Sequence, residues 1–227
     1  MAAVTDVEVV SRNAPARGLN RVFLAVGIVT GSAAVALSVY VAGHPVIPAD
    51  ITVERSIQLT AWGPLAYAFP FFSWIGDAKG VVVEVVIFFA VLIFNRRALV
   101  VALGGVASGA WYQLGIHLVQ RHRPTTALVP HVYEHPGASS YPSGHTIIVT
   151  TIAIVLMLCF GHRFLSRWGV AAGWILVLLI VTTSAIARIY SGSHWPSDVL
   201  AGILIAVAWI SLLLSVRWVS DQVFNRD

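Results

Sequence analysis

The sequence predicts an all-α, polytopic membrane protein with six transmembrane helices and a short interfacial or re-entrant segment between the first two. Hydrophobic residues make up 58% of the 227 residues, charged residues make up 11%, and the mean hydropathy is +0.83. Because ordinary soluble domains carry about 25% charged residues, this composition excludes a soluble protein. The net charge of +4 comes mainly from arginines that flank apolar segments, which favours contact with membrane lipids over nucleic-acid binding.

Six apolar segments set the predicted number of spans. Each has about the length that a membrane-spanning helix requires. The first begins too far from the N-terminus for a cleaved signal peptide, so it is interpreted as a signal anchor. The segments are residues 22–43, 80–95, 98–119, 146–161, 168–187 and 199–216.

The stretch between the first two segments has two possible interpretations. Residues 44–56 are predicted to form a polar loop, and residues 57–74 are apolar but interrupted by Gly63, Pro64 and Pro70. Residues 57–74 therefore either cross the membrane or form a short helix at its surface. The distribution of arginine and lysine decides between them, because cytoplasmic loops are enriched in both residues.

Positive charges favour six spans with both termini in the cytoplasm. This arrangement places nine cations inside and five outside, whereas a seventh span at 57–74 gives seven on each side. The nine inner residues are Arg12, Arg17, Arg21, Arg96, Arg97, Arg163, Arg167, Arg217 and Arg226. The five outer residues are Arg55, Lys79, Arg121, Arg123 and Arg188. We therefore predict cytoplasmic tails at residues 1–21 and 218–227, and one six-helix domain at residues 22–217.

Three clusters of polar residues lie at the outer ends of the predicted helices. Because all three face the same side of the membrane, loops that are distant in sequence can converge on one site. The members are Arg121 and Arg123 after the third span, Ser143, Gly144 and His145 at the start of the fourth, and Arg188, His194 and Asp198 between the fifth and sixth.

The two histidines of these clusters predict a nucleophile and a general acid. Asp198 lies one helical turn beyond His194, so its carboxylate can accept a hydrogen bond from one ring nitrogen. The other nitrogen is then a neutral and oriented nucleophile. His145 is the natural general acid for a leaving oxygen.

The remaining members predict an anion site. Ser143 and Gly144 begin a helix, where free N–H groups bind anions and glycine permits a close approach of the backbone. The guanidinium groups are suited to the equatorial oxygens of a transferring phosphoryl group. Because these groups supply the positive charge, we expect no metal ion and no other cofactor. The three guanidinium groups belong to Arg121, Arg123 and Arg188.

The clusters resemble the motifs of the type 2 phosphatidic-acid phosphatase superfamily of membrane lipid phosphatases. The family motifs are Lys-x6-Arg-Pro, Pro-Ser-Gly-His and Ser-Arg-x5-His-x3-Asp. The second motif is intact at residues 142–145, and the third is present with Ala187 in place of serine. The first keeps Arg123-Pro124, but Ile116 occupies the lysine position. The resemblance covers roughly residues 80–217 and all three motifs occur in order.

The resemblance implies a phosphohistidine on His194, with Asp198 orienting the ring and His145 protonating the leaving group. It implies a phosphate site on the extracytoplasmic face that is formed by Arg123, Arg188, Ser143 and Gly144. The expected substrate is a lipid phosphate monoester or diphosphate in the membrane. Candidates are undecaprenyl or another polyprenyl diphosphate, phosphatidic acid, phosphatidylglycerol phosphate and diacylglycerol pyrophosphate.

Ile116 is the departure with the larger chemical effect, because it removes a cation that the family uses on the phosphate. We hypothesise that Arg121, or with less support His117, supplies the missing charge. Two other functions stay open. One is a lipid phosphotransferase that uses the same phosphohistidine, and the other is a non-catalytic membrane protein that retains a degenerate fold. A vanadate-dependent peroxidase is disfavoured by the membrane composition.

Glu84 is a further candidate functional residue outside the motifs. It lies four residues inside the second predicted span, where an ionisable side chain is energetically costly. The alternative is that its carboxylate reaches the nearby outer surface of the membrane.

Overall fold

In the computed structural model, helices account for nearly all the regular structure of the described residues, which are 18–75, 78–133, 137 and 139–225. Most of the predicted N-terminal tail, residues 1–17, and the last two residues of the predicted C-terminal tail lie outside this part. The helices are α1 (Arg21–Gly43), α2 (Pro48–Leu59), α3 (Phe69–Ile75), α4 (Ala78–Phe94), α5 (Leu99–Ala107), α6 (Gly109–Leu118), α7 (Gly144–Leu156), α8 (His162–Phe164), α9 (Arg167–Tyr190), α10 (Pro196–Ser215) and α11 (Arg217–Phe224). Short 3₁₀ helices occur at Gly63–Ala68 and Arg96–Ala98, and a π-helical turn occurs at Met157–Gly161.

Five helical stretches of the described chain are long and apolar enough to cross a membrane. The predicted second span coincides with α4, whose apolar part, Gly80–Phe94, is shorter than these five. The all-helical fold class and several membrane-length helices are therefore confirmed. The five stretches are Arg21–Gly43, Arg96–Leu118, Gly144–Phe164, Arg167–Tyr190 and Pro196–Ser215.

The segment between α1 and α4 differs from the prediction in one respect. Residues 44–56, predicted to be a loop, contain most of α2, which begins at Pro48 and ends at Leu59. Proline is favourable in the first turn of a helix, where its missing N–H removes no hydrogen bond. The apolar stretch that follows forms a 3₁₀ helix and the short α3 instead of one continuous helix, because Gly63 has a φ of +53° and Pro64 follows it.

The long helices differ in how much of their surface other helices cover. In the helical stretch Gly144–Phe164, which begins with α7, 72% of the most apolar part is buried, whereas in α1 only 11% is buried. The covered face of α7 packs into a core that includes Val101, Val155 and Leu158. Large apolar side chains such as Val22 and Val39 are exposed on α1. An exposed apolar surface of this extent is favourable in contact with lipid tails.

Both ends of the described chain lie at the end of the bundle opposite the start of α10. The backbone N–H of Asn20, before α1, donates to the carbonyl of Ser215 at the end of α10, at 2.7 Å. The α11 helix then packs back onto α1 through stacked rings of Phe224 and Phe23, 5.6 Å apart. The predicted C-terminal tail therefore begins as an ordered helix.

Candidate active site

The three predicted clusters meet at the end of the bundle where α7 and α10 begin. The ring of His194 connects them: its Nδ1 lies 2.7 Å from the carbonyl oxygen of Ser140, and its Nε2 lies 3.4 Å from Nη1 of Arg123. The ring of His145 is 6.5 Å from that of His194, measured between centroids. Each cluster thus contributes a group to one small region.

The partner of Nδ1 determines which nitrogen of His194 carries the proton. A backbone carbonyl can only accept a hydrogen bond, so Nδ1 must be the donor to Ser140. In a neutral imidazole the other nitrogen, Nε2, then holds the lone pair. The nucleophilic atom therefore faces Arg123, which is the side where an anion would bind.

Burial keeps the His194 ring neutral. The residue is only 3% exposed, and this burial lowers its pKa well below the ordinary histidine value. The positive charges of Arg188 and Arg123 lower the pKa further, while the hydrogen bond to Ser140 acts in the opposite direction. His194 is therefore deprotonated at Nε2 at neutral pH, as a nucleophile requires.

Arg123 is held in place by backbone carbonyls. Its Nη1 donates to the carbonyl of Ser193 at 2.6 Å, its Nη2 to that of Ser139 at 2.7 Å, and its Nε to that of Gly137 at 3.0 Å. These three carbonyls orient the guanidinium group of Arg123 beside His194. A guanidinium in this position is suited to stabilise an anion next to His194.

The start of α7 has the geometry of an anion site. Ser143 is the N-cap residue, and its Oγ accepts hydrogen bonds from the backbone N–H of Thr146 at 3.4 Å and from the Thr146 hydroxyl at 2.9 Å. Since Oγ accepts both bonds, the Ser143 hydroxyl proton can be donated to a ligand. Gly144 is the first helical residue, followed by His145.

Arg188 lies in the last turn of α9 and is completely buried. A cation in that position is stabilised by the negative end of the helix dipole. The electrostatic effect of Arg188 on His194 places both groups in the same part of the molecule. Arg123, in the loop after α6, and Arg188, at the end of α9, thus approach His194 from different segments of the chain.

Asp198 does not form the predicted hydrogen bond to His194. Its Oδ2 lies 3.9 Å from Nδ1 of the ring, which exceeds hydrogen-bonding distance. That oxygen instead accepts the backbone N–H of Trp195 at 2.9 Å, and the other carboxylate oxygen pairs with Arg121 at 2.6 Å. Asp198 therefore fixes the turn that carries His194, and the Ser140 carbonyl fixes the ring.

Arg121 faces the carboxylates and has no described hydrogen bond to His194. Its Nη1 also contacts the Ser197 hydroxyl at 2.7 Å, and its Nη2 pairs with Asp50 at 2.7 Å. Its Nε donates to the carbonyl of Pro45 at 2.9 Å. With all three nitrogens engaged and only 2% of the residue exposed, the geometry favours a positioning role over the predicted phosphate contact.

Asp50 is the site residue that the sequence analysis missed. It lies on α2, the residue is only 5% exposed, and its carboxylate contacts Arg121 and Ser197. Asp50, Glu54 and Gln58 are all buried polar residues and follow one another at intervals of four. This i, i+4, i+8 spacing is the signal in the sequence that predicts one polar face of a helix.

A cavity of about 610 Å³ opens beside Arg123. Its wall includes Ile116, the residue at the family's lysine position. Among the described residues, no group of three or more His, Cys, Asp or Glu side chains is placed to hold a metal ion. The described lining residues are Tyr112, Ile116, His117, Gln120, Arg121, His122, Arg123, Gly137 and Ser139.

Glu84 lies apart from this site, inside the bundle. It borders a cavity of about 10 Å³ together with Gly105 and Thr151, and its Oε1 is buried with no hydrogen-bond partner among the described residues. The carboxyl group therefore does not contact the His194 cluster.

A family model matches residues 59–222, which include all three clusters and most of the bundle. The chain belongs to the PAP2 superfamily. The matched region includes α4 to α10 and excludes α1 and most of α2, so Asp50 lies outside it.

The chain is also similar to two named proteins. The chain is 40% identical to an undecaprenyl-diphosphatase of Sulfolobus acidocaldarius over 90 residues. This aligned region covers 40% of this chain and 37% of the relative. It is 32% identical to a lipid A 1-phosphatase of Porphyromonas gingivalis over 124 residues. This aligned region covers 55% of this chain and 24% of the relative. The chain thus spans well under half the length of these relatives.

Two solved structures have a fold similar to that of this chain. The first is a transmembrane PAP2-type phosphatidylglycerolphosphate phosphatase from Bacillus subtilis, with a TM-score of 0.66 at 20% identity over 82% of this chain and 93% of that one. The second is LpxE from Aquifex aeolicus, with a TM-score of 0.57 at 24% identity over 74% of this chain and 96% of that one. The overall arrangement of helices in this chain is therefore shared with these two structures.

Proposed function

We propose that this PAP2 protein is an integral-membrane lipid phosphatase that hydrolyses a phosphate monoester or diphosphate through a phosphohistidine on His194. The observation that carries the proposal is the position of Nε2 of His194, 3.4 Å from Arg123 with its lone pair on the same side. Membership of the superfamily and the names of the relatives support the choice of a lipid phosphate as substrate.

The first step transfers the phosphoryl group to His194. The Nε2 lone pair attacks phosphorus, a P–N bond forms, and the P–O bond to the lipid oxygen breaks. His145 gives its proton to that leaving oxygen, which prevents the release of a strongly basic anion. Arg123, Arg188, Ser143 and the N–H groups at Gly144 stabilise the equatorial phosphoryl oxygens.

The second step regenerates the enzyme. His145 takes a proton from a water molecule, the water oxygen attacks phosphorus, and the P–N bond breaks as inorganic phosphate leaves. While the ring of His194 is phosphorylated it carries positive charge, and its Nδ1–H group stays hydrogen-bonded to Ser140. Since Arg123 and Arg188 stabilise the charge of the phosphoryl group in both steps, we propose that the reaction proceeds without a metal ion.

We further propose six spans, with α4 as the second, and α2 to α3 at the outer membrane surface. Both termini are then cytoplasmic and the His194 cluster is extracytoplasmic. The positive-inside count favours this orientation, and the pairing of Asn20 with Ser215 agrees with termini on one side. The lipid tail would enter from the membrane, and the headgroup would occupy the cavity beside Arg123.

Phosphate release by the detergent-purified protein tests this function. The substrates are undecaprenyl diphosphate, phosphatidic acid, phosphatidylglycerol phosphate and diacylglycerol pyrophosphate, each assayed with EDTA for wild type and His194→Ala. We expect at least one lipid to give release that persists in EDTA and falls by more than about 1,000-fold in the variant. Release that is equal in the variant, or no release from any lipid, would contradict the proposal. Transfer of the label to an added acceptor lipid in preference to water would identify a phosphotransferase instead.

A further inference from the structure

We infer that Asp50 is a positioning residue for this reaction, which acts on His194 through Arg121, Ser197 and Asp198 without contacting the substrate. The inference rests on the proposed function, because it names a further residue on which that activity depends. Asp50 lies on α2, before the region that the family model matches.

The first step of the argument is the contact between Asp50 and the start of α10. Its Oδ1 accepts the backbone N–H of Ser197 at 3.0 Å, and its Oδ2 accepts the Ser197 hydroxyl at 2.6 Å. Ser197 is the second residue of α10, where N–H groups have no partner within the helix. A carboxylate at this position is stabilised by the positive end of the helix dipole, so Asp50 holds the start of α10 in place.

The second step is the bridge from Asp50 to Asp198. The Arg121 guanidinium pairs with Asp50 through Nη2 at 2.7 Å and with Asp198 through Nη1 at 2.6 Å. Both ion pairs are nearly inaccessible to solvent. One arginine between two buried carboxylates fixes the distance between them. Loss of either carboxylate therefore shifts Arg121 and changes its ion pair with the other carboxylate.

The third step leads from Asp198 to the nucleophile. Asp198 accepts the N–H of Trp195, the residue after His194, and its carbonyl oxygen accepts the N–H of Ser143 at 3.1 Å. A shift of Asp198 therefore moves both the turn that carries His194 and the start of α7. Described hydrogen bonds connect Asp50 to Arg121 and Ser197 and do not reach Arg123 or the His194 ring.

Other residues of α2 contact the same loops. The amide of the buried Gln58 donates to the carbonyl of His131 at 2.9 Å and accepts the His131 N–H at 3.2 Å. The exposed Arg55, beside the polar face of α2, donates to the carbonyl of Leu128 at 2.7 Å. Because buried polar and charged groups cost free energy unless they are satisfied, a helix required only for packing would present apolar side chains here. Asp50 and Gln58 on this face instead pair with polar groups of α10 and of the loop before α7.

The test measures kcat and KM of Asp50→Asn with the lipid that wild type hydrolyses. Asparagine keeps the size of the side chain and removes the charge that orients Arg121. We expect kcat to fall about 10- to 100-fold, the effect of a small displacement of a reacting group, with KM within about twofold of wild type. The matched control is Thr52→Ala on the exposed face of α2, which should retain wild-type kinetics.

A double-mutant cycle with Asp198→Asn distinguishes positioning from general destabilisation. If Asp50 acts through Asp198, Asp50→Asn lowers kcat by less than about twofold in the Asp198→Asn background. An additive loss in that background would overturn the inference. If Asp50→Asn does not fold, Ser197→Ala replaces it, because it removes only the hydroxyl between the carboxylate and Arg121. We expect an approximately fivefold loss of kcat for Ser197→Ala, and full activity would overturn the inference.

The outcomes separate the two proposals. A wild type with no His194-dependent release from any lipid contradicts the proposed function and removes the basis of this inference. A wild type that is active and His194-dependent, with Asp50→Asn at full kcat, overturns the inference and leaves the proposed function intact.

Discussion

At the scale of single residues, the partner of each ring nitrogen and guanidinium defines its chemistry. His194 donates through Nδ1 to a backbone carbonyl, and Nε2 then faces Arg123. Arg121, two positions earlier in sequence, faces Asp50 and Asp198 instead. Two arginines in one loop are therefore placed for different tasks, one beside the anion site and one between two carboxylates.

Ile116 gives a prediction of increased activity. It borders the same cavity as Arg123 but supplies no charge, whereas the first motif of the superfamily has lysine at this position. A charge-assisted hydrogen bond contributes about 1.5–3 kcal/mol, so we expect Ile116→Lys to raise kcat/KM about tenfold or more. The control is Ile116→Met, which has a similar volume and no charge. Equal kcat/KM values for the lysine and methionine variants would show that this position does not reach the phosphate.

Glu54 gives a prediction of pH-dependent stability. It is completely buried on α2, and burial together with the charges of Asp198 and Asp50 raises its pKa to about 9, while Arg121 acts in the opposite direction. The folded protein therefore keeps Glu54 protonated over a range in which the unfolded chain, with the ordinary value of 4.5, is ionised. Stability consequently decreases as pH rises from 4.5 towards 9.

Glu54→Gln should remove this dependence, because the amide does not ionise. We expect the melting temperature of the variant in detergent to fall less than that of wild type between about pH 5 and pH 9. If the melting temperatures of the two proteins fell equally over this pH range, the assignment of a protonated Glu54 would be contradicted.

At the scale of helices, close packing between α7 and α10 places the second and third clusters side by side. A Cβ atom added to Gly202 of α10 would lie 2.9 Å from the carbonyl oxygen of Ser143 and 3.0 Å from Cβ of Thr146. The backbone at the start of α7 would have to move to accommodate it. We expect Gly202→Ala to lower stability by about 1–3 kcal/mol and to reduce kcat.

Gly109→Ala is the matched control for that prediction. An added Cβ at Gly109, in α6, meets no atom within 4 Å. Stability and turnover should stay at or slightly above wild type, since alanine favours helix formation. If Gly202→Ala retained the stability and kcat of this control, close approach of the two helices would not be required.

The sequence predicts the long helices better than it predicts the surroundings of the site. Apolar length alone locates α1 and α9 to within a few residues, since lipid contact requires a continuous apolar segment. The helix α2 was predicted as a loop because its buried residues are polar, and their partners lie more than 70 positions away. The contact between the Ser140 carbonyl and His194 could not be predicted from side-chain spacing, because every residue type has a backbone carbonyl.

At the scale of the whole molecule, the two ends of the described chain and the His194 cluster lie at opposite ends of the helical bundle. The start of α1 pairs with the end of α10, and the start of α10 carries Asp198. In the proposed six-span arrangement these ends face opposite compartments. The proposed orientation places the termini inside and the lipid phosphate at the outer surface. The outer surface is the side that carries fewer of the arginine and lysine residues.

Single cysteines in a Cys159→Ser background test this orientation. His44, between α1 and α2, and Asn225, after α11, are both exposed and lie at opposite ends. A membrane-impermeant thiol reagent applied to intact cells should label His44→Cys, and it should label Asn225→Cys only after permeabilisation. The reverse pattern would place the His194 cluster in the cytoplasm.

The most direct test of the central claim is detection of the phosphorylated histidine during turnover. Purified wild type is mixed with a lipid carrying a radioactive phosphoryl group, quenched in alkaline denaturant, which preserves phosphohistidine, and analysed for label on the chain. We predict alkali-stable, acid-labile label that maps to His194, is absent in His194→Ala and remains in wild type treated with EDTA. Turnover without label on the chain, or label that persists in His194→Ala, would contradict the account.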